Sequence, residues 1–207
     1  MFSVPSFEEL ILKLLLIFFA LPLHEYAHAL VAYKLGDNTA KYEGRLTLNP
    51  IKHLDPLGTL LIFFGPIGWA KPVPVNPFHF ENRKRGMMLV SLAGPGANFL
   101  LAVVGAVLLG IFHASADLQY ILYYFMVLNV WLAVFNLLPL PPLDGSKILA
   151  GILPGRQEWL YQLERYGFPI LFLLIFFGFL TPILTFFASP IIELFAVLAG
   201  FIARLPL

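Results

Sequence analysis

Phe18-Phe19-Ala20-Leu21-Pro22-Leu23-His24-Glu25-Tyr26-Ala27-His28-Ala29-Leu30-Val31-Ala32-Tyr33 is an apolar run that carries His-Glu-x-x-His. On a helix His24 and His28 stand one turn apart on one face, so both imidazoles can reach a single metal ion. Glu25, offset by one position, can reach a water on that metal and take its proton, the metal having lowered the water's pKa from about 16 towards 7. The competing reading is a pair of hydrogen-bonded core histidines. The setting decides between them. A charged group at the centre of a hydrophobic span costs about 2.5–3.5 kcal/mol, and an idle core would not carry three ionisable groups so close together.

The rest of the chain supplies that setting. Of 207 residues 59% are hydrophobic and only 12% charged, and the mean hydropathy is +0.84. These values describe a polytopic membrane protein with the lipid bilayer as its solvent. A net charge of +1 says little about partners, and the placement of the charges says more; no nucleic acid is expected as a partner. With no cysteine, a metal must be held by histidines and carboxylates. Met1 to Glu9 lacks the basic region of a signal peptide.

Taken in order, Leu10 to Tyr33 is a first span of about 24 residues, with Lys13 placed to snorkel to the near interface. Lys34 to Asp55 is polar, and Lys41 to Leu48 alternates loosely, as a short β-hairpin does. Leu57 to Ala70, about 14 residues interrupted by Gly65-Pro66 and Gly68, is short for a crossing helix. Lys71-Pro72-Val73-Pro74-Val75-Asn76-Pro77 must be extended, because its prolines fix the backbone and remove donors. Further spans are expected over Met87 to Phe112, Leu118 to Leu138, Phe168 to Phe187 and Pro190 to Arg204, with a short interfacial helix within Ser146 to Tyr166. The expectation is an all-α polytopic membrane protein of five to six transmembrane helices, with a re-entrant segment and a small membrane-associated β-hairpin or extended edge. It forms one membrane-embedded domain over residues 1–207, its core at 10–150 and accessory helices at 151–207.

Charge placement orients it. If Leu57 to Ala70 dips in and returns, the basic loops at 34–55 and 71–86 share a side with the loop at 139–166 and with Arg204. Only Lys13 of the thirteen Lys and Arg residues then falls opposite. The positive-inside tendency favours this arrangement: five spans, N-terminus outside, C-terminus in the cytosol. Re-entrant backbone is tolerated only beside protein or a water-filled cavity. The His pair and Asp144 then both lie near cytosolic helix ends of a multi-pass cell-membrane protein.

A catalytic zinc site needs three protein ligands and an open position. Asp144, in Pro141-Pro142-Leu143-Asp144-Gly145 at a span end, is the best third ligand, with Asp55 in reserve. Two roles are open to Asn136: donation to the oxyanion formed on a peptide carbonyl, or a helix–helix hydrogen bond. Asn98 lies either near the site or in packing, and Asn129 reads as a packing hydrogen bond. The glycines near Asn98 read as packing. His53 reads as a loop histidine with a supporting role at the metal as the alternative, and His79 and His113 as surface residues.

His24-Glu25-x-x-His28, Gly94-Pro95-x-x-Asn98 and Asn136-x-x-Pro139 with Leu143-Asp144-Gly145 resemble the site-2 protease family of intramembrane zinc metalloproteases, peptidase family M50. Leu46-Thr47-Leu48-Asn49-Pro50 and the Gly68 to Pro77 stretch are similar to a compact prokaryotic branch. The resemblance runs from about Phe18 to Leu149. It implies one Zn2+ held by His24, His28 and Asp144, Glu25 as general base and acid, and Asn136 as a catalytic residue positioning substrate or oxyanion. It also implies transmembrane protein or peptide substrates cut in regulated intramembrane proteolysis. Between the His-Glu span and the Asp144 span there is no PDZ insertion, and no CBS domain follows. The rival from another class is a metal-ion transporter using the same residues. Glu193 is the only other acidic residue well inside an expected span, which makes a poor pathway. Neither substrate identity nor oligomeric state is written in the sequence.

Overall fold

The structure, a computed structural model, describes residues 7–64, 68–112, 115–155 and 158–205. Gly65-Pro66 and His113 lie outside the described residues. Helix α1 (Phe7–Leu15), a π-helical turn (Leu16–Ala20) and α2 (Leu21–Lys34) run on as one rod of 28 residues. The wide turn has a local cause. Pro22 has no N–H, and its ring presses on the carbonyl four residues back. Widening the preceding turn, with Leu21 N–H closing onto Leu16 O, makes room for it.

Helix α2 ends where Gly36 takes φ +101° and Asp37 N–H reaches back to Ala32 O at 2.9 Å. Asp37 then decides the next stretch. Its Oδ1 accepts from Thr39 N–H at 3.0 Å and from the Thr39 hydroxyl, an Asx-type turn that leads into a single helical turn, α3 (Thr39–Tyr42). The hairpin expected over 41–48 therefore does not form. Antiparallel pairing among the described residues is one bridge, Leu54 with Ala70, beside a Lys71 N–H to His53 O bond of 2.9 Å.

That bridge means that the chain leaving at Leu54 is back beside it at Ala70. Between them α4 (Pro56–Phe64) starts on Asp55, whose Oδ1 accepts from Gly58 N–H at 2.7 Å. The returning arm lies flush on α4, and two glycines permit it. A Cβ at Gly68 would stand 2.5 Å from Gly58 O and 2.8 Å from Ile62 N, and one at Gly58 would stand 2.9 Å from Trp69 Cδ1. Gly68→Ala is expected to cost about 1–3 kcal/mol by overpacking, read as a lower thermal midpoint in micelles. Gly96→Ala is the control, since nothing lies within 4 Å of its Cβ position. Lys13 Nζ donates to Phe63 O at 2.9 Å, where a cation also meets the negative end of α4.

Helices α5 (Arg83–Ile111) and α6 (Ala116–Leu137) start on the side chains of Asn82 and Ser115. Helix α5 is the central post, in contact with α2, α6, the later α7 (Asp144–Ile152) and α9 (Leu180–Ile202). Ala102, Ala106, Met126, Val130, Leu184 and Ala188 form the core between α5, α6 and α9. Small residues let backbones approach there: a Cβ on Gly110 would come within 2.7 Å of Ala199 O.

The C-terminal third divides differently from the sequence reading. The expected 146–166 interfacial helix is α7, bends at Leu153 to Gly155, and the start of α8 (Glu158–Phe176). The expected break before Pro190 falls instead at Gly178. Its φ of +74° lets Gly178 N–H reach Ile175 O at 3.0 Å and Phe179 N–H reach Leu174 O at 2.9 Å, a glycine stop that satisfies the last carbonyls. Pro190 sits inside α9, which runs on with Ala188 fully buried beside it. Among the described residues four helices are long and apolar enough to cross a membrane: Phe7–Lys34, Arg83–Ile111, Ala116–Leu137 and Leu180–Ile202.

Candidate metal centre

The His-Glu face of α2 lies on α5 and meets the first residue of α7. Helix α5 offers no side chain there: a Cβ on Gly94 would stand 2.6 Å from His24 Cε1 and closer still to His28 Nε2. Gly145 does the same for the third partner. It lets α7 begin against the last turn of α6, too near Leu137 O and Leu138 O for any Cβ, and so sets Asp144 opposite the imidazoles. Ser146 steadies the corner by donating its hydroxyl to Leu143 O at 2.7 Å.

Three side chains converge as a result. His24 Nε2 and His28 Nε2 are 3.0 Å apart, and Asp144 Oδ2 stands 3.3 Å from the first and 3.2 Å from the second. The three residues are buried, at 7%, 8% and 8% exposure. They form the group of potential ligands found among the described residues. With bonds of about 2.0–2.1 Å, tetrahedral ligand atoms stand roughly 3.3–3.4 Å apart, close to this triangle. The far ring nitrogens are already engaged: His24 Nδ1 donates to Asn98 Oδ1 and His28 Nδ1 donates to Val90 O, each at 2.7 Å. Both Nε2 atoms are thus left as lone pairs facing a carboxylate oxygen, an arrangement that a cation between them resolves. Two imidazoles and one carboxylate suit Zn2+.

Glu25 lines the same cavity, with His24, His28, Asn98, Asn136 and Asp144. Its Oε2 accepts from Val73 N–H at 2.8 Å, so the extended Lys71 to Asn76 segment lies across the candidate base. That segment is pinned at both ends. Arg45 donates to Lys71 O at 2.6 Å, and Asp37 Oδ2 accepts from Asn76 N–H at 2.7 Å while its Oδ1 takes His79 Nδ1–H at 2.7 Å. Burial pushes the Asp37 carboxyl up, but the bonds from Thr39, Asn76 and His79 more than offset this and hold it below the usual carboxylate range. Asn136 faces the cavity with one amide hydrogen given to Leu132 O at 2.9 Å.

Other residues take different places. Asp55 caps α4 and does not line the cavity. His53 is neither solvated nor at the metal centre; it is fully buried and donates Nε2–H to Thr47 O at 2.7 Å. His79 is half-exposed and ties down Asp37. Asn98 belongs to the site, and Asn129 makes a buried hydrogen bond. The sequence reading passed over Ser91 and Lys147, which line the cavity. The signal was there: Ser91 lies seven positions before Asn98 on α5, and Lys147 three after Asp144 on α7, each on its partner's face.

Comparison with known proteins bears on what this group of residues does. The chain is 46% identical over 181 residues to the Bacillus subtilis (strain 168) protein named "Putative zinc metalloprotease YwhC", covering 83% of this chain and 81% of that one. The Peptidase family M50 profile matches residues 109–178. The chain belongs to peptidase family M50. This bears out the resemblance read from its motifs, and it makes the protein a zinc metalloprotease, a hydrolase integral to a membrane. A second relative is the Mycolicibacterium smegmatis (strain ATCC 700084 / mc(2)155) protein named "Putative zinc metalloprotease Rip2". It is 36% identical over 167 residues, and the chain spans 63% of its length. No solved structure gives a significant match.

Proposed function

We propose that this M50 metalloprotease hydrolyses peptide bonds within or next to the transmembrane segments of membrane protein substrates, as a step of regulated intramembrane proteolysis. The observation that carries the reading is the triangle of His24, His28 and Asp144 in a mostly apolar cavity between membrane-length helices and the extended segment. In this reading His24, His28 and Asp144 hold one zinc per chain. Zinc supplies Lewis-acid polarisation of water and of the scissile carbonyl. Glu25 takes the proton of the attacking water and returns it to the leaving amine, one of its oxygens being held by Val73 N–H. Asn136 has a second amide hydrogen available to the carbonyl oxygen as charge develops on it.

The cavity, about 510 Å³, bears on the form of substrate. A helix with side chains is about 10–12 Å across, so this volume holds roughly one turn of it. A peptide bond locked in helix hydrogen bonds is screened from attack, so the substrate enters unwound, and the carbonyls of Pro72 to Val75 offer an extended edge to pair with it. The bridge from Leu54 to Ala70 supports a re-entrant α4, and with it the placing of the site towards the cytosolic side. Helix α8 is then the fifth crossing beside the four longer helices.

The test is cleavage of a single-span substrate co-reconstituted with the enzyme in lipid vesicles. Products ending within or beside the span are expected, with activity lost to 1,10-phenanthroline and restored by Zn2+. Cleavage confined to water-soluble peptides, with the span left whole, would refute the intramembrane reading.

A further inference from the structure

His24 is held from behind by two buried amides on two other helices. Asn98 on α5 is 1% exposed and Asn129 on α6 is 0% exposed. His24 Nδ1 meets Asn98 Oδ1 at 2.7 Å, Asn98 Nδ2 donates to Asn129 Oδ1 at 3.1 Å, and Asn129 Nδ2 donates to Phe125 O at 2.9 Å. The two ends of an amide are nearly isosteric, so its partners decide which way it points. Here they leave one choice. A main-chain carbonyl only accepts, so Asn129 must show its NH2 to Phe125 and its oxygen to Asn98. Asn98 must then show its NH2 to Asn129 and its oxygen to His24. That oxygen also only accepts, so the His24 proton is placed on Nδ1 and the lone pair on Nε2.

We infer that Asn98 and Asn129 are positioning residues that set the tautomer and ring orientation of His24 through a one-way chain of amides anchored on Phe125 O. The contacts of His28 give the contrast. Its Nδ1 donates straight to the main-chain Val90 O, so one ligand is fixed by backbone and the other by side chains that can be changed. The chain of bonds crosses from α6 through α5 to α2, so the affinity of the metal centre depends on how three spans are packed. In apolar surroundings each amide needs this partnership, since no water is there to replace it. Outer hydrogen-bond partners of metal-binding histidines are typically worth 10–100-fold in affinity.

This inference rests on the reading of His24 as a zinc ligand, and the experiment separates the two. Zinc affinity of the full-length apoprotein in micelles is measured by competition with a chromophoric chelator, alongside apoprotein thermal stability. Asn98→Leu is expected to weaken zinc about 10–100-fold. Asn98→Asp, which keeps an acceptor towards His24, is expected to recover most of that loss. Asn129→Leu, which leaves Asn98 free to turn, is expected to weaken zinc by less than Asn98→Leu and serves if that variant does not fold. Affinity unchanged in both Leu variants, with only apoprotein stability reduced, overturns the positioning role. Wild-type affinity in His24→Ala instead overturns the ligand assignment itself.

Discussion

Glu25→Gln is expected to keep its zinc and lose peptide cleavage by roughly 10²–10⁴-fold, the range that positioned acid–base groups contribute. The substitution is nearly isosteric. The side-chain oxygen that accepts from Val73 N–H at 2.8 Å can be kept by the amide, so the extended segment stays in place. Glu25 is not one of the three converging ligands, so metal content should match the parent protein. What is lost is the capacity to take up a proton. Zinc analysis and initial cleavage rates on the same preparation check both halves, and full activity in the variant would remove Glu25 from the mechanism.

Gly94→Ala is expected to abolish stoichiometric zinc binding, a loss of at least about 100-fold in affinity, beyond what outer-sphere changes alone produce. The added methyl would stand 2.6 Å from His24 Cε1 and nearer to His28 Nε2. Neither ring can retreat cheaply, because Asn98 and Val90 hold both from behind. Alanine suits a helix interior better than glycine does, so the apoprotein should stay folded while the ligands are pushed apart. Zinc content at wild-type level would show that the rings can be re-seated.

How far the sequence carried the reading depends on how local each feature is. His24, Glu25 and His28 were legible because a helical turn converts a spacing of four into a shared face. Asp144 was legible because a carboxylate at the broken end of a span, at the depth of a histidine pair, has few other uses. Gly94 was not, since a glycine's meaning lies in what approaches it, and here the approach comes from a helix over sixty positions away. The hairpin expected at 41–48 failed because Asp37, outside that window, turns the chain at Thr39 into a helical turn. The C-terminal spans were divided at the wrong residue because Pro190 looked the stronger breaker. A glycine able to adopt positive φ ends a helix more completely than a proline whose helix is held along one face, at Leu184, Ala188 and Ala199. The partner of Lys13, Phe63 O, was not legible because only folding brings it within reach.

The single bond from Val73 ties Glu25 to the extended segment. Pro72 and Pro74 carry no amide hydrogen, so one peptide unit alone restrains the carboxylate from that strand. A displacement of an ångström or so takes a 2.8 Å contact out of range. Any shift of this segment is therefore felt directly at the proposed proton acceptor, and the bonds from Arg45 and Asp37 at its two ends keep that acceptor in register.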